Sequence, residues 1–242
     1  MSDNEGTNTA ERRSAEPGVR RPAAPTRRRP PSPGADDSGT RQKVIEAAIT
    51  CILERGFYRA SSNAIAETAG LSWGVIQYYF GSREGLMLAV LEEGSRRLID
   101  GLSRAEITAE AMPERVEQFF TVLEGYYGQP EYLAFIQVLL NLSHDPRTSS
   151  RTLDSMVENG EAIQAQIARL TNQLFAGTNV RRRIVRTFPF TVLRGMALSE
   201  VMLNTLPFDT RAMRQNVSDQ RRLLAQAVTL LIERETGAPP ES

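Results

Sequence analysis

One cysteine (Cys51), one histidine (His144) and a net charge of zero set the first limits on this 242-residue chain. A single cysteine excludes an intramolecular disulfide and any cysteine-based metal cluster. Cys51 lies in an apolar helical pattern and reads as a buried structural thiol, with a redox sensor as the alternative. His144, in Ser-His-Asp-Pro, falls in a loop after a helix and has no second histidine to pair with. There is no nucleophile elbow, no phosphate loop and no metal-spaced histidine set, and carboxylates are scattered over polar helix faces. These absences argue against an enzyme, a metal and a cofactor. No apolar run reaches the roughly 18 residues needed to span a bilayer. The opening residues lack the apolar segment of a secretory leader. The expectation is a soluble, cytoplasmic protein without a membrane partner. Neither strand alternation nor an internal repeat is visible, which points to an all-α fold.

Charge balance gives no global basic field of the kind that announces a nucleic-acid binder. Between positions 41 and 93, five basic residues (Arg41, Lys43, Arg55, Arg59, Arg83) stand against six acidic ones. Residues 1–39 differ: they hold six of the thirteen prolines and almost no large aliphatic side chain. Such a segment cannot bury enough apolar surface to offset its ordering entropy, so the composition predicts disorder. Arg12 to Arg29 carries seven arginines and one acid, Glu16. A basic arm of this kind can follow a DNA backbone, or it can be a solvated tail.

Thr40 is placed to cap a helix over 41–55, with Val44, Ala48, Cys51 and Ile52 on one face. The stretch Ala60 to Arg83 then reads as two short helices around a tight turn. Ser61 or Ser62 caps the first, over 63–69. Gly70 takes the left-handed C-terminal position, and Ser72 caps the second. At 100° per residue, Ile76 centres the buried face of that second helix, while Gly74 and Tyr78 lie opposite and Gln77 and Val75 flank them. Trp73 stands to one side on the first turn. This is a helix-turn-helix arrangement. Ser82 starts a long helix to about Arg104.

The run Gly56 to Leu91 resembles the DNA-binding domain of the TetR/AcrR family of bacterial transcriptional repressors. The resemblance rests on Gly56-Phe57, Ile65-Ala66, Ala69-Gly70-Leu71-Ser72, Gly74, Ile76, Tyr79-Phe80 and Ser82-Arg83-Glu84. Two positions depart from the family pattern: Gln77 where Tyr is usual, and Trp73 where a small or basic residue is usual. The resemblance implies that Trp73, Gly74 and Gln77 approach bases in the major groove. It places Arg41, Ser62, Tyr78, Tyr79 and Arg83 at the DNA backbone.

Beyond position 112 only helical periods appear: from Pro113 to Tyr127, Pro130 to Leu142, Ser150 to Phe175, about 179–204 and about 210–235. Gly160 marks a possible bend, and Pro189 is expected to kink or interrupt its helix. The expected organisation is an arm (1–39), a helix-turn-helix domain (40–85), a helical regulatory and dimerisation domain (86–236) and a tail (237–242). The family resemblance implies a homodimer through the last two long helices, a palindromic double-stranded operator and a small-molecule effector. Phe119, Phe120, Tyr126, Tyr127, Phe135, Met156, Phe188 and Met196 are the candidate pocket lining, favouring a hydrophobic or aromatic effector. The alternative is a DNA-binding or adaptor dimer with a filled core and no effector.

Overall fold

A computed structural model describes residues 37–207, 209–211 and 217–237. Among these residues there are helices and no strand. The basic arm, the segment 212–216 and the tail from 238 lie outside the described residues.

Helix α1 (Asp37–Arg55) starts earlier than its sequence pattern suggests. Thr40 lies inside it instead of capping it. Gly56 ends it at φ 79°, its N–H bonded to the Ile52 carbonyl at 2.9 Å. Helix α2 (Ser62–Ala69) is capped by Ser61, whose Oγ accepts the Ala64 N–H at 3.3 Å. Gly70 adopts φ 64°, and the Leu71 N–H returns to the Ala66 carbonyl at 2.9 Å. That left-handed residue closes the helix and aims the chain into α3 (Trp73–Phe80). Ser72 has cap backbone geometry, but its hydroxyl makes no cap bond. Helix α4 (Arg83–Arg104) begins as expected, with Ser82 Oγ accepting the Gly85 N–H at 3.0 Å.

The remaining helices are α5 (Met112–Tyr127), α6 (Pro130–His144), α7 (Ser150–Leu174), α8 (Arg183–Thr205) and α9 (Val217–Gly237). His144 belongs to the last turn of α6, its Nδ1 facing the Leu140 carbonyl at 2.7 Å, so the loop placement is corrected. Helix α7 passes through Gly160 without a break, and α8 passes through Pro189. Helix α8 also starts later than the sequence suggested.

Two apolar cores organise these helices. The first joins Val44, Ala48 and Ile52 of α1, Ile65 of α2, Ile76 of α3 and Leu86 and Val90 of α4. It continues into α6 through Ala134, Val138 and Leu142. The second gathers Leu98 and Leu102 of α4 with Phe119, Phe120 and Leu123 of α5, Leu170 and Leu174 of α7, Leu193 of α8 and Val228 and Ile232 of α9. Helix α4, with 22 residues and about 33 Å long at 1.5 Å per residue, feeds both.

Polar links reinforce this frame. The Phe57 N–H donates to Gln137 Oε1 of α6 at 3.1 Å. Glu84, at the start of α4, accepts from the hydroxyls of Ser149 and Thr152, each at 2.6 Å, tying α4 to the start of α7. These bonds hold the Glu84 carboxyl below its ordinary range. Glu93 is buried in α4, which alone would raise its pKa. The guanidiniums of Arg96 and Arg97, bonded to it at 2.9 and 2.6 Å, outweigh that and hold it low. Arg221 of α9 reaches Glu117 and Glu124 of α5 at 2.6 and 2.8 Å.

Candidate nucleic-acid interface and effector cavity

Helix α3 is short because Ser72 and Gly81 bound it, and Ile76, fully buried, pins its inner side to the first core. Its outer side presents Gly74, Gln77 and Tyr78, all exposed, with Tyr78 exposed to 66%. Tyr78 and Tyr79 meet edge to face, with centroids 5.2 Å apart. A Cβ at Gly74 would meet only Ser72 Oγ, at 3.8 Å. The fold does not require glycine there, although glycine in a helix costs about 1 kcal/mol relative to alanine.

Two expected DNA contacts are already engaged within the protein. Trp73 is half-buried against the first core and does not stand free on the outer face, because the start of α3 lies against that core. Arg83 Nη2 donates to the carbonyls of Phe57 at 2.8 Å and Ala60 at 3.4 Å, and its guanidinium lies 4.6 Å from the Phe57 ring centre. Burial lowers its pKa. Arg83 therefore ties the start of α4 to the α1–α2 loop. Arg41 is exposed, over the Phe80 ring at 5.4 Å and 4.0 Å from Glu92. Ser62 opens α2 and is half-buried. Tyr58, exposed to 85%, was not singled out from the sequence. Cys51 is fully buried with Sγ 3.1 Å from Thr68 Oγ1, the structural placement expected of it.

A cavity of about 280 Å³ opens between α4, α5, α6, α7 and α8. Of the candidate lining residues, Tyr127, Phe135 and Met156 reach it. Phe119 and Phe120 do not: at 1% and 0% exposure they fill the second core. Tyr126 turns the other way, donating its hydroxyl to the Gly94 carbonyl at 2.9 Å, and burial raises its pKa. Phe188 lies on the surface, and Met196 lines a separate recess with Glu124 and Arg221. Sequence reasoning missed Tyr132, Phe190 and Arg194. Phe188 and Phe190 are two residues apart, hence about 200° apart on a helix, so only one can face inward. The periodicity of α8 held the signal: its buried residues Val185, Pro189, Leu193, Ala197 and Val201 centre on Leu193, from which Phe190 lies about 60° away and Phe188 about 140° at 100° per residue.

The aromatic wall is continuous. Tyr127 packs on Tyr132 (4.8 Å between centroids) and on Phe190 (5.8 Å), and Tyr132 stacks on Phe135 (6.0 Å). Phe135 also presses on α4: a Cβ at Gly94 would come within 2.7 Å of its ring. The cavity thus shares Leu91, Ser95 and Leu98 of α4 and Phe135 and Leu139 of α6 with the frame that carries α1–α3. Among the described residues no His, Cys, Asp or Glu group is arranged to hold a metal ion, and no helix is long and apolar enough to cross a membrane.

Comparisons with known proteins agree with this geometry. Residues 44–90 match the family model "Bacterial regulatory proteins, tetR family". The chain is 28% identical over 166 residues to the HTH-type transcriptional repressor AcnR of Corynebacterium glutamicum, covering 67% of this chain and 82% of AcnR. It is 31% identical over 91 residues to the HTH-type transcriptional regulator BetI of Stenotrophomonas maltophilia, covering 38% of this chain and 45% of BetI. The structure of Salmonella enterica GusR superposes with a TM-score of 0.55 at 18% identity, over 81% of this chain and 96% of that one.

Proposed function

The chain belongs to the TetR family of bacterial regulatory proteins, and from that premise we propose a homodimeric repressor that leaves a palindromic operator when a small molecule fills the cavity. The observation that carries the DNA-binding part is α3, pinned by Ile76 and open at Gly74, Gln77 and Tyr78. Gln77 is suited to a bidentate contact with adenine. Gly74 leaves room for a base edge or sugar, and Trp73 supports the first turn from its half-buried seat. Ser62, Tyr78, Tyr79 and Arg41 are the proposed phosphate contacts, which set register rather than sequence. Arg83 acts by holding the loop ahead of α2.

An unpartnered apolar stripe supports the dimer. On α8, Ile184, Phe188 and Met202 are 68%, 36% and 48% exposed, Leu206 just past its end is 38% exposed, and Leu223 and Leu230 of α9 are 61% and 65% exposed. At 100° per residue the three α8 residues fall within about 40° of one line, together with Gly195. Small residues there let a second helix approach closely. The proposed switch is mechanical: an occupant of the cavity presses on Phe135 and Leu91, moves α4 and α6, and alters the separation of the two α3 helices. Half-sites lie about 34–36 Å apart, so a small pivot prevents both from docking.

Genomic selection of DNA bound by the purified full-length protein, at near-physiological salt, tests the reading. One enriched motif with two-fold symmetry is the expected result. No enrichment, repeated after unfolding and refolding to strip any bound effector, sinks it. Sequence-specific binding that no ligand disturbs leaves a DNA-binding dimer without an effector.

A further inference from the structure

Between Glu161 and Glu200 the chain carries six arginines (Arg169, Arg181, Arg182, Arg183, Arg186, Arg194) and no aspartate or glutamate. The protein as a whole has 29 basic and 29 acidic residues, so this stretch is a local excess. Two of the six bind elsewhere in the fold. Arg169 donates to the Ala105 carbonyl at 2.9 Å, and Arg182 pairs with Glu235 at 2.9 Å. The other four line one groove of about 650 Å³ between α7 and α8, together with Gln164, Thr171 and Asn172. No carboxylate lines that groove. Arg186 bonds Asn172 Oδ1 at 2.6 Å and lies 4.9 Å from the Phe175 ring centre, and Arg194 lies 5.1 Å from the Phe190 ring centre, but none of the four makes an ion pair among the described residues.

The groove adjoins the apolar cavity: Gln164, Ile167, Phe190 and Arg194 line both. Inside, Tyr127 and Tyr132 are 3% and 6% exposed. Neither hydroxyl has a hydrogen-bond partner among the described residues, and both side chains line the cavity. The combined site therefore has an aromatic and aliphatic floor, two polar handles and a mouth of like charges. Four cations in one groove repel one another unless an anion joins them. Guanidinium groups match phosphate oxygens with paired N–H donors.

We propose that the site takes an amphipathic anion: an apolar acyl or aryl body in the cavity, and a head bearing several phosphate charges across Arg181, Arg183, Arg186 and Arg194. An acyl thioester of a phosphorylated nucleotide carrier has this chemistry. A nucleic acid would use the arginines and leave the apolar floor unfilled. The inference rests on the effector reading above and narrows it to one ligand class.

The test is calorimetric titration of the full-length protein with three probes: dodecanoyl-coenzyme A, coenzyme A alone and dodecanoate. The thioester should bind at least about tenfold more tightly than either part, since one charge-assisted contact is worth about that factor. The double variant Arg181→Gln/Arg183→Gln removes two exposed side chains that make no hydrogen bond or ion pair among the described residues, so its melting temperature should match the wild type. It should lose about tenfold or more in thioester affinity and keep its dodecanoate affinity. Equal binding of dodecanoate and thioester, unchanged thioester affinity in the double variant, or binding of no probe overturns the inference. Adding the selected DNA separates the two readings. Specific DNA binding with no response to any probe removes this inference and leaves the regulator. Thioester binding without DNA release keeps the ligand class and removes the switch.

Discussion

Arg83→Ala separates two roles that one residue might serve. Its Nη2 lies 2.8 Å from the Phe57 carbonyl, a full-strength bond, and 3.4 Å from that of Ala60, a weak one. A charged hydrogen bond contributes about 1.5–3 kcal/mol net. The guanidinium is only half-buried, so the lower end, about 1.5 kcal/mol, is the appropriate value. The stack on Phe57 at 4.6 Å adds about 0.5–1 kcal/mol at such a site. The sum is about 2 kcal/mol. For a chain of this size, 1 kcal/mol moves the melting temperature by about 2–4 °C, so the variant should melt about 4–8 °C lower. Arg83→Lys keeps the charge but loses the planar guanidinium that lies on Phe57 while its Nη2 reaches both carbonyls, and should melt nearly as early. DNA affinity should fall alike for all sequences, through a loosened α1–α2 loop. The decisive readout is salt dependence. Each lost phosphate contact reduces the slope of log K against log salt by about 0.9. A loop anchor leaves the slope unchanged, whereas a phosphate contact in each protomer would reduce it by about 1.8. An unchanged melting temperature with a reduced slope would refute the anchor argument.

The other predictions address the reading helix, the dimer, the switch and pH. Gln77→Ala, on an exposed side chain, should relax base preference at one position per half-site with little change in stability; unaltered selected motifs would remove Gln77 from base readout. Leu230→Glu, at a side chain 65% exposed in the protomer, should yield monomers in analytical ultracentrifugation, while a persistent dimer places the interface elsewhere. Gly94→Ala sets a methyl 2.7 Å from the Phe135 ring; it should displace that ring into the cavity, weaken effector binding and cost about 1–3 kcal/mol through overpacking. Wild-type effector affinity in that variant would show that Phe135 does not gate the cavity. Glu84 and Glu93 both have lowered pKa values in the fold. The unfolded chain, with ordinary values near 4.3, then binds more protons than the folded one over this window. Their contribution is present above about pH 4.3 and is lost as pH falls through the depressed folded values. Thermal melts should show this acid loss, and Glu84→Gln/Glu93→Gln should flatten it; an identical acid profile in the double variant would assign the loss to other carboxylates.

The DNA-binding helices were legible in the chain because their determinants are local. A serine cap, a left-handed glycine and an apolar residue each turn act within four or five positions, and Ser61, Gly70 and Ile76 do so here. The long helix α4 and its Ser82 cap were legible for the same reason. The start of α1 was misjudged because Asp37 and Thr40 are both acceptable near a helix N-terminus, and nothing local chooses between them. Partners remote in sequence were decided only by packing. The Phe57–Gln137 bond, Glu84 on Ser149 and Thr152, and the seat of Arg83 join side chains that no periodicity relates. The cavity follows the same rule: composition named aromatic residues, but the phase of α8 admitted Phe190 and excluded Phe188, and the second core absorbed Phe119 and Phe120. The excess of arginine over 162–199 can be counted in the sequence. Only the tertiary arrangement, in which α7 and α8 both pack on α5 and α6, brings four of those arginines to one groove beside an apolar cavity, because a side chain's neighbours across helix interfaces are set by the register of several helices at once.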